Sequence, residues 1–203
     1  MRYRTFTFVK TAQENTNKST RYKTIRTGAS SFARKNTGGE KMSLTLKKAF
    51  EVRLTNVEST VCGQDYDHNG RRQLVYCPEG EITGPDFHGH IMPAGIDHQI
   101  IRSDGSCEAS VAYGFQLDDG RSIYITAQGV RRVPEELAEK VKNGEPVDPK
   151  QFYFVTVPKF EVYDDSLRWL SEKIFVCDGT RLPDSVLLTY YSVEQTNDHP
   201  ALG

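Results

Sequence analysis

Several absences bound what this chain can be. No apolar run approaches the roughly 18 residues that a membrane-crossing helix needs, so no membrane partner is expected. No Gly-rich phosphate loop precedes a helix, which argues against a nucleotide-cofactor fold. No Gly-x-Ser-x-Gly elbow is present. The four cysteines, Cys62, Cys77, Cys107 and Cys177, form no Cys-x-x-Cys pair. Reduced, mostly buried thiols in a cytoplasmic protein are the expectation, with one disulfide as the alternative. Cys177 has no histidine placed in sequence to activate it as a nucleophile.

Charge is unevenly spread. The net charge is −1, from 26 Lys+Arg and 27 Asp+Glu. Residues 1–41 hold 10 of those basic residues and only Glu14 and Glu40 as acids, so that segment carries +8. The remainder carries −9, and an acidic body argues against nucleic acid as a partner. The basic segment has almost no branched aliphatics and is expected to be a disordered tail. A mitochondrial transit peptide is a second reading. A third is a mis-set start: codons for Gly38–Lys41 can spell a GGAGG tract about seven bases ahead of Met42, where a bacterial ribosome would bind. The domain itself is taken as 42–203.

What is present in that body reads as strands and tight turns. Phe50, Val52 and Leu54 alternate with Glu51, Arg53 and Thr55, so 48–59 is a strand with one buried face. Further strands are expected over 72–77, 87–92 and 97–102. Cys107–Leu117 carries apolar residues at odd positions and small or polar ones at even positions. It joins 121–131 through Asp118-Asp119-Gly120, the clearest hairpin of the chain. Residues 134–143 are the one main helix: Pro134 suits its first position, Glu135 and Glu136 its positive end, and Gly144 its stop. A strand over 151–162 leads to a short helix that Asp164-Asp165 can cap, carrying Leu167, Trp169 and Leu170 as an apolar plug. Strands over 173–177 and 185–194 follow. Eight or nine strands with hairpin-length connections and one main helix predict a mainly β fold: a closed or nearly closed antiparallel barrel able to hold one small ligand. A two-sheet sandwich is the alternative. A homo-oligomer remains open.

From Pro93 onward a string of motifs resembles domain-of-unknown-function family 3237. The pieces are Pro93-Ala94-Gly95-Ile96-Asp97, Asp104-Gly105, Tyr113, Asp119-Gly120, Ile123-Tyr124-Ile125 and Gly129-Val130-Arg131. They continue through Gly144–Pro149, Tyr153-Phe154, Pro158, Phe160-Glu161, Trp169-Leu170, Ile174-Phe175-Val176 and Gly179-Thr180-Arg181. The resemblance implies a small barrel similar to allene oxide cyclase or lipocalin-like barrels, and no particular activity. The family usually carries Arg at Ala112, Asn at Ala127, Arg at Val155, Trp at His98, Asn at Ser171 and Gly at Cys177. Loss of a cation and an amide at Ala112 and Ala127 implies a less polar pocket and a neutral, mostly apolar ligand.

Three function classes follow. The first is an isomerase, cyclase or lyase that needs no cofactor. In it Asp97 serves as acid or base and Tyr113 or Tyr124 as a hydrogen-bond donor, with His98, Ala112, Ala127, Arg131, Glu161 and Arg181 around the ligand. Arg131 or Arg181 pairing with Glu161, and Asp97 closing a turn, are the structural alternatives. The second is a barrel that only binds or carries a small molecule. The third is a metal enzyme, because His88 and His90, two apart on a strand, project to one side, and Asp97 and His98 could complete a site.

Overall fold

The computed structural model describes residues 43–63, 70–142, 145, 147–148, 151–182 and 184–196. The basic segment and the Met42 start lie outside the described residues, as do residues 64–69 and the helix stop at Gly144. The strands are β1 (Ser43–Thr55), β2 (Glu58–Val61), β3 (Arg71–Cys77), β4 (Glu79–Thr83), β5 (His88–Ile91) and β6 (Gly95–Ile101). They continue as β7 (Cys107–Leu117), β8 (Ser122–Arg132), β9 (Tyr153–Val162), β10 (Phe175–Arg181) and β11 (Ser185–Thr196). Helix α1 spans Glu135–Lys142, and a 3₁₀ turn spans Asp165–Leu170.

The order β7-β5-β4-β1-β11-β10-β9-β8 returns to β7 through the β7–β8 hairpin, so eight antiparallel strands close a barrel. That pairing runs from Cys107↔Arg131 to Gln116↔Ser122 and rules out two separate sheets. Eleven segments appear because three long strands are interrupted. Asn56, at φ 52°, parts β1 from β2. Pro78, which has no N–H to give a ladder, parts β3 from β4. Pro93-Ala94, with Ala94 at φ 84°, parts β5 from β6. Beyond these breaks β2, β3 and β6 continue the wall alongside the first half of β7, where Ile96 faces Ala112 and Ile101 faces Cys107.

Two sequence boundaries move for a physical reason. Asp178-Gly179 reads as a turn, yet β10 runs on to Arg181. Gly179 is a strand residue because a Cβ there would lie 2.2 Å from the ring of Phe154, so only glycine fits beside that ring. Glu79–Thr83 is a strand where the Pro-Glu-Gly sequence suggests a turn.

Alternation fills the inside. Phe50, Val52 and Leu54 are buried from β1, and Cys107, Ala109, Tyr113, Phe115 and Leu117 from β7. One half of the barrel is packed solid. Phe50 stacks on Tyr190 at 4.4 Å, and Phe50, Phe87, Phe160 and Phe175 meet edge to face at 5.0–5.8 Å. The 3₁₀ turn, capped by Asp164 accepting from Ser166 N–H, adds Leu167 and Leu170, both fully buried. Trp169 is only half-buried and packs at 5.9 Å on Phe175, so the two leucines rather than the tryptophan form the plug.

Candidate functional site

The other half of the barrel is hollow. A cavity of about 380 Å³ is lined from β1, β2, β3, β6, β7, β8, β9, β10 and β11. Leu54, Val75, Val111, Phe154, Val186 and Leu188 give it an apolar wall. Into this wall the strands insert a small set of polar groups, and Asp97 is the most deeply placed of the charged ones, at 7% exposed.

Alternation along β6 explains its position. Gly95, Asp97 and Gln99 are buried, whereas His98 between them is exposed. The Asp97 carboxylate accepts from Gln99 Nε2 at 2.6 Å and from the Ser110 backbone N–H at 3.1 Å. Gln99 Oε1 in turn accepts from Gln73 Nε2 at 3.4 Å. Burial raises the carboxyl's pKa above its ordinary value, against the opposing pull of the Gln99 and Ser110 hydrogen bonds and of the Arg131 and His98 charges. Such a group holds its proton to higher pH than an exposed aspartate does.

Beside it stands a second polar chain. Tyr113 lines the cavity, and its hydroxyl meets that of Tyr190 at 2.6 Å, both residues being buried. Tyr190 also hydrogen-bonds the Cys177 thiol, which contacts Thr156 as well. Desolvation raises both phenols and pushes the Cys77 and Cys177 thiols up to about 12, so these groups stay neutral near pH 7. No described cysteine is in a disulfide; Cys77, Cys107 and Cys177 are buried and Cys62 is exposed.

Arg131 and Arg181 line the same cavity. Arg131 is half-buried on β8 and hydrogen-bonds the thiol of Cys107. Arg181 is exposed at the rim. Its guanidinium is still crowded enough, with Arg131 nearby, for desolvation first and that positive charge second to lower its pKa. Ala127 also faces the cavity.

The remaining sequence candidates lie elsewhere. Tyr124, 39% exposed, and its cross-strand partner Glu161 stand on the outer face of β8 and β9. Glu161 is seven positions along β9 from Phe154, the partner of Arg131, or about 23 Å, and β10 meets β9 at Thr156 and Val155 with Arg181 beyond them, so Glu161 reaches neither arginine of the cavity. Ala112 is half-buried on the opposite face from Tyr113, and its register neighbour across the hairpin is Thr126, not Ala127. The alanine pair therefore does not meet in the pocket. His88 and His90 are exposed on the outside of β5. His88 Nδ1 lies 2.9 Å from Asp118 Oδ2 there, and Asp97 is inside the barrel, so these four residues do not converge. Among the described residues no three His, Cys, Asp or Glu side chains group as metal ligands. Of the six departures from the resembling family, Ala112, Val155, His98 and Ser171 are outside the cavity, while Ala127 and Cys177 face inward. The loss of a cation at Ala112 thus does not strip the cavity of positive charge, because Arg131 and Arg181 remain in it.

Gln73, Gln99, Cys77 and Tyr190 belong to the site and were not among the sequence candidates. Gln99 was the most findable, being two positions from Asp97 on the same face.

Fold and cavity together define a closed eight-stranded β-barrel, half core and half pocket, with a buried acid in the pocket wall. The family model described as "Protein of unknown function (DUF3237)" matches residues 44–193, and the chain belongs to that family. A UPF0311 protein of Clostridium acetobutylicum is 45% identical over 150 residues, 74% of this chain and 94% of that protein. The crystal structure of a conserved protein of unknown function from Rhodopseudomonas palustris matches with a TM-score of 0.70 at 35% identity, covering 75% of this chain and 99% of that one. A β-barrel like protein of Acinetobacter baumannii matches at 0.64 and 26%, covering 75% and 97%. Among the described residues no helix is long and apolar enough to cross a membrane.

Proposed function

We propose that the cavity is the active site of a cofactor-independent enzyme, an isomerase, cyclase or lyase acting on a small, mostly apolar molecule in the cytoplasm of a bacterium. The observation that carries this reading is Asp97: a carboxyl 7% exposed in the cavity wall, fixed by two hydrogen bonds and inclined by burial to keep its proton. A buried acid with a raised pKa can give a proton to one atom of a bound molecule and take one from another, with no net change in the enzyme. Tyr113 supports the chemistry if Tyr190 donates to it, because its own O–H then points a donor at the ligand. The apolar wall keeps competing water out and fixes the reacting conformation.

The test uses wild-type protein and Asp97→Asn with a pool of small bacterial metabolites, followed by mass spectrometry. The reading expects wild type to convert at least one component into a product of the same mass, or into two fragments summing to it. Asp97→Asn should retain binding of that component and lose its conversion. Binding without conversion by wild type would favour a carrier barrel instead.

A further inference from the structure

The positive charge of the two cavity arginines is only partly answered: Arg131 acts on Asp97 through its charge without forming an ion pair with it. Asp97 spends its oxygens on Gln99 and Ser110, and Asp184, at the same mouth, accepts from Ser185 Oγ at 3.0 Å. Among the described residues neither Arg131 nor Arg181 is in an ion pair with a carboxylate, although Lys48, Arg102, Arg121, Arg132, Arg168 and Lys173 are so matched on the surface. Both line the same wall, close enough for the Arg131 charge to act on Arg181. A guanidinium pair bonded to no carboxylate is an arrangement that an incoming anion completes. Each guanidinium offers a planar fork of donors that matches two oxygens of one group.

We propose that Arg131 and Arg181 form an anion clamp at the cavity mouth, selecting ligands with a carboxylate or enolate oxygen on an apolar body. The clamp rests on the reading that the cavity is the ligand site. It holds whether or not Asp97 performs chemistry. The ligand's apolar part lies against Val75, Val111 and Phe154, and its oxyanion lies toward the rim. This replaces the neutral ligand expected from Ala112 and Ala127, since Ala112 is outside the cavity.

A matched pair of probes tests it: cinnamate and its neutral amide, cinnamamide, titrated at neutral pH in low-salt chloride buffer and followed by amide-resonance shifts. The clamp predicts that wild type binds the acid at least tenfold more tightly, and that added salt narrows the gap. It also predicts that Arg131→Gln with Arg181→Gln brings the ratio near one while amide affinity holds. Arg181→Gln alone, at the rim where folding is least at risk, should lose part of the preference. Equal affinity of the two probes in wild type overturns the clamp and leaves the cavity as a ligand site. An acid preference that survives both substitutions also overturns it. Binding of neither probe overturns the clamp and the cavity reading together.

Discussion

Replacing Asp97 with Asn should change how stability depends on pH more than stability itself. The sign follows from the direction of the Asp97 shift. Burial raises its folded-state pKa, so between the unfolded value, about 3.9, and the raised one, the folded chain binds more protons than the unfolded chain. Stability from this group is therefore fully present below the ordinary aspartate pKa and is lost as pH rises through the folded pKa. The steepest slope one such group can give is about 1.4 kcal/mol per pH unit. The amide of the Asp97→Asn variant does not titrate, so the stability of wild type relative to the variant should fall with rising pH across that window. Asp104, Asp119, Asp164 and Glu194 are shifted the other way by hydrogen bonds to Ser106, Arg121, Ser166 and Lys173 respectively. They favour stability above their pKa values, but both proteins share them and they cancel in the difference. The variant keeps its hydrogen bonds if the oxygen of the new amide accepts from Ser110 N–H while the Gln99 and Gln73 amides turn over. Failure of that reversal would leave two donors facing each other, at a cost of about 1–3 kcal/mol that is constant with pH. Urea unfolding at unit steps from pH 4 to 8, followed by Trp169 fluorescence and circular dichroism, separates the slope from the offset. A difference that is flat, or that grows in wild type's favour as pH rises, would refute a proton-retaining Asp97.

Other outcomes follow from the packing and the thiols. Leu170→Ala should cost about 2–5 kcal/mol, and Trp169→Ala less than that, because the leucine is fully buried and the tryptophan is not; equal or reversed losses in urea titrations would contradict the plug. Gly179→Ala should destabilise by about 1–3 kcal/mol as its methyl meets the Phe154 ring, and Phe154→Ala in the same chain should relieve part of that loss. Iodoacetamide on the native protein should label Cys62 alone and, in urea, all four cysteines; early labelling of Cys77 or Cys177 would show that the barrel wall admits reagent.

Much of this was legible in the sequence because a barrel wall writes itself as alternation. Phe50, Val52 and Leu54, and the odd positions of Cys107–Leu117, fall inside as their pattern requires. The same parity already separates Ala112 from Tyr113, so the placement of Ala112 outside the cavity follows from the sequence itself, whereas a shared pocket role with Ala127 does not. What alternation cannot show is where along the barrel a residue lies. Phe154 and Phe160 share the inward parity of β9, yet Phe160 joins the packed half while Phe154 lines the cavity. Nor does a local pattern reveal Gly179, whose reason for being glycine is a ring 25 residues earlier in the chain. The Asp97–Gln99–Gln73 chain and the Tyr113–Tyr190 pair join β6 to β3 and β7 to β11, contacts that only the closed sheet creates.

The most direct measurement of the central claim is a structure of the protein with a metabolite that it captures from a bacterial small-molecule pool. The account predicts the molecule inside the hollow half of the barrel, with one of its atoms within hydrogen-bond distance of the Asp97 carboxyl and any oxyanion against Arg131 and Arg181. A captured molecule seated instead on the outer face, beside His88 and His90 or beside Tyr124 and Glu161, with the cavity left to solvent, would contradict it.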